Sequence, residues 1–365
     1  MIPPNQTNGF IAVILTAGAA ACLLSGCVPP STGLECPDDP VAKASRNVPS
    51  FAPFEKEPKG RVGSIPCPGP LTFFATADPE RLGTHAYGNR GKESDRGIIY
   101  TRHGGFIDIA HVRKAVDWTA FHQVRFKHAL NEGWHCIVLP SKEGSVYQVR
   151  FTRDAPRPVI DELSIRLAQR LAITQTAWHE IATWFGYSCS PYPERPSALT
   201  YDDMTSHVLG AKVAGLALRE GSGNFNSAVT YYLKRELDRL GPVSPDQTMK
   251  ALGMVENRWW RGGFVIKRQL DVGESGRIDP WLVPGYPGGG TAGMPFIIPS
   301  LKDVAGRDMS GFEQVEIDPN MGVWTGMRRI LPGNPERCQP GVHFPLLMHY
   351  IRHYERSHGS TASPP

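Results

Sequence analysis

The segment Ile160–Phe185, IDELSIRLAQRLAITQTAWHEIATWF, decides the fold class. Leu163, Leu167, Leu171, Trp178, Ile181 and Phe185 recur at spacings of three, four or seven, which puts them on one face of a long helix. Downstream, Thr200 can cap a helix over Asp202–Arg219, with Asp203 completing a capping box. Phe225–Leu240 is a further helix, and Ser244-Pro245-Asp246-Gln247 opens another with a cap, a proline at the first position and a capping-box glutamine. Upstream, Asp117 fits as the N-cap of a helix through about Leu130, with Trp118, Phe121 and Val124 as its apolar stripe. Ile98–Tyr100 reads as a strand. Trp134–Leu139 and Ser145–Thr152 read as a hairpin with its turn near Lys142–Gly144. Phe264–Leu270 and Val315–Ile317 are further strand candidates, separated by the Gly/Pro-rich loop Pro284–Pro295. Phe344–Tyr354 is a final helix. Helices outnumber strands without alternating regularly with them, so the expected fold is α+β: a predominantly helical single domain with a small antiparallel sheet.

The chain has 365 residues, ordinary charged and apolar fractions and a net charge of +4. Its basic residues form no run, which gives no footprint for nucleic acid. Phe10–Leu24, FIAVILTAGAAACLL, is an uncharged apolar run too short to span a bilayer and followed by small residues, as in a signal peptide. Prolines 29, 30, 37, 40, 49, 53, 58, 66, 68 and 70 then interrupt the chain too often for a helix or central strand, and such a stretch stays extended.

The junction Leu24-Ser25-Gly26-Cys27 resembles the lipobox of bacterial lipoproteins. The resemblance implies removal of residues 1–26, a diacylglycerol thioether on Cys27 and an acyl group such as palmitate on the new amino terminus. Anchoring by more than one chain is stable. The first nine residues, MIPPNQTNG, depart from the pattern in having no Lys or Arg. Val28 follows the cysteine where Asp would mark inner-membrane retention, so the implied address is the outer membrane, facing the periplasm. The expected organisation is a signal peptide over 1–26, a proline-rich tether over 27–60, one globular domain over 61–356 and a disordered tail over 357–365.

Seven cysteines are present. Cys22 leaves with the signal and Cys27 carries lipid, so five remain for an oxidising compartment. Cys36 and Cys67 are the first choice for a disulfide, and Cys136 reads as a buried thiol. No Cys-x-x-Cys spacing suggests a zinc cluster.

Two segments concentrate polar chemistry. In Thr101–Arg113, TRHGGFIDIAHVR, a helical reading puts Asp108 and His111 three apart on one face, where they can share a ligand. A strand would point them to opposite faces. Gly104-Gly105 allows a tight turn that brings His103 near them. In Trp178–Gly186, WHEIATWFG, His179-Glu180 opens the zinc-peptidase motif His-Glu-x-x-His, but Thr183 stands where the second histidine belongs. His111 and His179 with Asp108 or Glu180 would instead supply three protein ligands to an open zinc site, the remaining carboxylate serving as base. The bland alternative is a hydrogen-bonded His179–Glu180 pair on a packed helix, with Asp108 paired to Arg102 or Arg113. Cys189 or Cys136 with a histidine would make a thiolate–imidazole pair, although neither sits in a nucleophile context. Asp202-Asp203 reads most simply as favouring the positive end of its own helix.

The runs YTRHGGFIDIAHVRKAVDW, AWHEIATWFGY, SALTYDDMTSHVLGAK and IDPWLVPG together resemble a bacterial family of uncharacterised lipoproteins defined by a domain of unknown function. The resemblance spans about residues 60–350. It implies a coherent single domain and an envelope location, and no reaction. The leading expectation is therefore an anchored interaction or structural protein that meets the membrane through its lipid and binds an envelope protein or peptidoglycan. The alternative is a metal-dependent hydrolase, with a divalent metal such as zinc, acting on peptidoglycan, peptide or lipid ester through His103, Asp108, His111, His179 and Glu180. A cysteine hydrolase is the second alternative.

Overall fold

The structure, a computed structural model, describes residues 53–61, 63–64, 76–89, 97–140, 145–188, 193–221, 223–273, 275–290, 292–319 and 322–358. The signal segment, Cys27, Cys36, Cys67, Cys189 and residues 359–365 lie outside the described residues.

Strands β1 (Ile98–Thr101) and β2 (Gly105–Asp108) form an antiparallel hairpin with Ile98 opposite Asp108 and Thr101 opposite Gly105. The chain passes directly from β2 into α1 (Ile109–Asn131). Strands β3 (Cys136–Pro140) and β4 (Val146–Phe151) pair antiparallel, and α2 (Ile160–Trp184), α3 (Asp203–Glu220), α4 (Phe225–Leu240) and α5 (Pro245–Met254) follow. Much later β5 (Glu313–Asp318) returns to β4, giving a three-stranded sheet in the order β3–β4–β5. Helices α6 (Trp324–Arg329) and α7 (Pro340–His358) close the chain, and two-residue ladders join Trp260–Arg261 to Phe264–Val265 and Arg277–Ile278 to Phe296–Ile297. The fold is α+β, mostly helical, with small antiparallel sheets. Among the described residues no helix is long and apolar enough to cross a membrane.

Helix α2 is the centre of the packing. Nineteen of its 25 residues are buried, so it has no solvated face and neighbours must cover it on every side. Trp178 stacks on Phe344 of α7 at 6.1 Å and meets Trp324 of α6 edge-on at 5.8 Å. The Trp184 indole N–H donates to Glu355 Oε1 at 2.7 Å, so this buried ring keeps its polar edge satisfied. On the other side α1 and α3 lie against α2 and each other. His122 Nε2 meets Gln175 Oε1 at 2.8 Å, and Gln169 Nε2 donates to the Ala211 carbonyl at 2.8 Å. Gly210 lets α3 approach α1 closely, since a Cβ there would run into the Val112 carbonyl.

Several expectations need correction. Helix α1 begins at Ile109, not Asp117, because Asp108 is the N-cap and accepts from the Ala110 and His111 amides. Asp117 lies within the helix, wholly buried, where it receives Arg61 at 2.9 Å and His85 at 3.2 Å. Phe106 to Asp108 is strand, so Asp108 and His111 converge through a cap and not along one helix face. The strand expected over Phe264–Leu270 shrinks to Phe264–Val265, since Arg268 and Gln269 turn inward to bond the backbones of Ala198 and Leu199. The stretch given to the tether already packs: Phe54 meets Tyr87 and Phe225 at 4.9 and 5.0 Å, and Arg125 binds the Phe54 and Glu55 carbonyls. Cys136 is disulfide-bonded, not a thiol, which removes it as a nucleophile.

Candidate metal centre

The amino-terminal ends of α1 and α3 meet the carboxy-terminal part of α2. Asp108 and His111 come from the first junction, Asp202, Asp203 and His207 from the second, and His179 and Glu180 from α2. Positive helix N-termini favour carboxylates, which is one reason Asp108, Asp202 and Asp203 are tolerated there. Gly210 lies one turn beyond His207 and meets Val112, the neighbour of His111. This close contact sets the His111 and His207 rings 4.7 Å apart.

One ligating atom from each of Asp108, His111 and Asp202 lies within 4.8 Å of the other two. The hydrogen bonding around them is uneven. Both Asp108 oxygens are engaged, yet Oδ2 keeps a lone pair for a ligand: Oδ1 accepts from the Ala110 amide at 2.7 Å, Oδ2 accepts from the Ser64 amide, and the Asp108 N–H donates to Ser206 Oγ. Asp202 Oδ1 accepts from Thr200 Oγ1 at 2.7 Å, whereas Oδ2 is buried with no partner. His111 Nδ1 is likewise buried with no hydrogen bond, 3.4 Å from Asp203 Oδ1 and 3.9 Å from Asp108 Oδ2. Its Nε2 side is covered by backbone, because Gly63 sits so close that a Cβ would land on the imidazole. The open coordination of His111 therefore faces the carboxylates. Asp203 Oδ2 accepts from the Thr200 amide at 2.6 Å and Glu180 Oε2 from the Leu199 amide at 2.9 Å. Leu199 holds that amide in place with φ of 57°, a left-handed conformation that costs a non-glycine residue strain and recurs at functional sites.

Burial dominates the electrostatics. It pushes the Asp108 carboxyl up to about 7, against the three backbone amides that favour its charge. Asp202 is raised by burial and then by Asp108 and Glu180; Asp203 is raised by burial and then by Glu180 and Asp202. The imidazoles move the other way: burial, then Lys114, lowers His111 to about 3, and burial, then His111, lowers His207. Neutral imidazoles are lone-pair donors, and carboxylates that repel one another lose that cost when a cation binds between them. A mixed carboxylate–imidazole set suits zinc, manganese or iron(II).

Sequence reasoning singled out His103, Asp108, His111, His179 and Glu180. The structure brings the last four into one neighbourhood, while His103 sits at the turn end of the β1–β2 hairpin, at the far end from Asp108 and against Gly241 and Gly290. Asp202, Asp203 and His207 were not among those residues. Asp203 and His207 stand four apart on one helix face, a signal present in YDDMTSH and masked by the capping explanation of its aspartates. Both aspartates do stand at the positive end of α3, Asp202 without a side-chain cap bond, and their placement beside Asp108 and His111 comes in addition to that.

The family described as a protein of unknown function (DUF4056) matches residues 41–272. The matched span contains every residue of the cluster and ends before β5, α6 and α7. No curated protein and no solved structure matches the chain.

Proposed function

The chain belongs to the DUF4056 family, and from its buried cluster we propose that it is a metal-dependent hydrolase of the bacterial envelope. The observation that carries this reading is the convergence of Asp108, His111 and Asp202 with two of their donor atoms, Asp202 Oδ2 and His111 Nδ1, buried and unpartnered. Buried polar atoms are otherwise almost always satisfied, and buried charges are paired or bind metal. A divalent cation in this set would acidify a coordinated water and polarise an ester or amide oxygen. Glu180 and Asp203 supply carboxylates beyond those needed as ligands, one of which serves as base. Zinc sites with a purely structural role favour cysteine, whereas open catalytic sites use histidine and carboxylate. His111 keeps 15% of its side chain exposed, whereas Asp108 and Asp202 are wholly buried.

The placement in the envelope rests on the LSGC junction at Cys27, and the disulfide at Cys136 suits an oxidising compartment. Intact mass of the membrane-extracted protein would show loss of residues 1–26 and a lipid on Cys27; an unprocessed mass would refute the anchor. For the activity, the chain purified without chelator is offered peptidoglycan, peptide and ester substrates. The expected result is hydrolysis that a chelator abolishes, added metal restores and Asp202→Asn lacks. Bound metal without hydrolysis of any substrate would refute the enzyme and leave a metal-braced interaction domain.

A further inference from the structure

Residues 53–61, 63 and 64 run along α1. Arg125 Nη1 and Nη2 donate to the Phe54 and Glu55 carbonyls, Arg61 pairs with Asp117, Gly63 sits against the His111 imidazole, and the Ser64 amide donates to Asp108 Oδ2. As the numbering rises from 54 to 64, the contacted residue falls from Arg125 to the helix cap at Asp108. The segment is therefore a strap laid antiparallel to α1, and its end rests on two of the three candidate ligands. We infer that this strap regulates the metal centre: the cation is held firmly only while the strap is docked, and a bound cation in turn locks the strap down. This deepens the metal-centred reading above and rests on it.

The strap acts directly on the donors. Gly63 covers the Nε2 side of His111, which leaves Nδ1 facing the carboxylates. Metal-binding imidazoles depend on such outer contacts for the orientation of the ring. Ser64 is buried, and its N–H on Asp108 Oδ2 favours the ionised carboxylate, the form a cation requires. The second lone pair of that oxygen stays available to the ion. With the strap lifted, His111 loses the group that fixes its ring and Asp108 loses a donor.

The attachments of the strap allow it to lift as a unit. Among the described residues it belongs to no helix or strand, and side chains hold it at separate points. Phe54 packs on Tyr87 and Phe225, the Tyr87 hydroxyl donates to the Lys56 carbonyl at 2.9 Å, and Arg61 also reaches the Ala86 carbonyl at 3.1 Å. Glu55, Lys56, Glu57 and Lys59 are exposed between these anchors. An element held this way opens at a lower free energy than the core. It also has little slack: α1 rises about 26 Å from Asp108 to Arg125, and residues 54–64 reach at most about 33–36 Å. Loss of the anchor at Arg125 is therefore felt at Gly63 and Ser64.

Trypsin tests the coupling on the full chain, because Lys56, Lys59 and Arg61 all lie in the strap. Cleavage is timed by mass spectrometry with chelator and with Mn²⁺ at a hundredfold excess over the Kd measured by titration calorimetry. A ligand that binds only the docked form lowers the open population about a hundredfold at that excess. Cleavage after the three strap residues should accordingly slow at least about tenfold, whereas cleavage after Arg261, exposed in the Trp260–Val265 hairpin, should keep its rate. Reciprocally, Ser64→Pro, which removes the donating N–H, should weaken Mn²⁺ binding about tenfold. Arg125→Gln, at the other end of the strap, should weaken it too and serves alone should the proline variant not fold. Bound Mn²⁺ with strap cleavage unchanged, or with the Arg261 cut slowed equally, would overturn the coupling and leave the site standing. Unchanged affinity in the folded variants would do the same. No bound Mn²⁺ would overturn the site and the coupling together.

Discussion

The imidazole rings of His111 and His207 stand 4.7 Å apart and 36° from parallel, held there by the close approach of α3 to α1 at Gly210. The neighbour that a Cβ on Gly210 would meet is a backbone carbonyl, which cannot swing aside as a side chain can. Gly210→Ala should therefore force the helices apart and cost about 1–3 kcal/mol, as overpacking does. Thermal denaturation measures the loss, and metal titration should show weaker binding in the same variant. An unchanged midpoint would mean that the helices do not meet as closely as described.

Asp202→Asn should separate stability from binding. In the metal-free protein the substitution removes one of several mutually repelling buried carboxylates, so the unfolding midpoint should rise or hold. In the presence of metal the wild type should gain about 2.7 kcal/mol at a hundredfold excess over Kd, and the variant should gain little. Differential scanning fluorimetry with and without chelator reads both effects.

His122 offers a pH test away from the cluster. It is wholly buried, bonded to Gln175, and lowered by burial to about 3 from the ordinary imidazole value. The unfolded chain binds a proton there below about pH 6.5 that the folded chain refuses until about pH 3. The stability it contributes is thus complete above pH 6.5 and lost as pH falls, about 2 kcal/mol by pH 5. Denaturant titrations of wild type and His122→Gln across pH 5–8 should show the wild type losing that much more on acidification. Parallel curves would remove His122 as the cause.

Cys136 should be oxidised in protein isolated from an oxidising compartment. Its replacement by alanine should cost about 2–4 kcal/mol, and non-reducing peptide mapping should identify the partner cysteine. A free Cys136 thiol in such protein would contradict the bond and remove one support for the envelope location.

The helices were legible in the sequence because apolar residues at helical spacing and a capping signal at Ser244 are local. Leu163, Leu167 and Leu171 mark α2 wherever the chain goes next. What spacing does not encode is which helix ends meet. His179-Glu180 and Asp108-x-x-His111 stood out as dense polar residues in apolar runs, but Asp202 and Asp203 had a sufficient local explanation as helix-start acids. Their role follows from tertiary placement beside Asp108, reached through the Gly210 contact. His103 went astray for a related reason. Gly104-Gly105 does turn the chain, yet the hairpin carries His103 to one end and Asp108 to the other. Asp117 misled because a buried aspartate that binds Arg61 and His85 inside a helix has the same sequence signature as a cap.

Anomalous diffraction would locate a cation held by Asp108, His111 and Asp202. Crystals grown with Zn²⁺ or Mn²⁺ and measured at the metal edge should give a peak about 2.0–2.2 Å from an Asp202 oxygen and from His111 Nδ1, absent in Asp202→Asn. A wild-type map with no peak among these three residues, or with metal only elsewhere on the surface, would mean that they hold no cation.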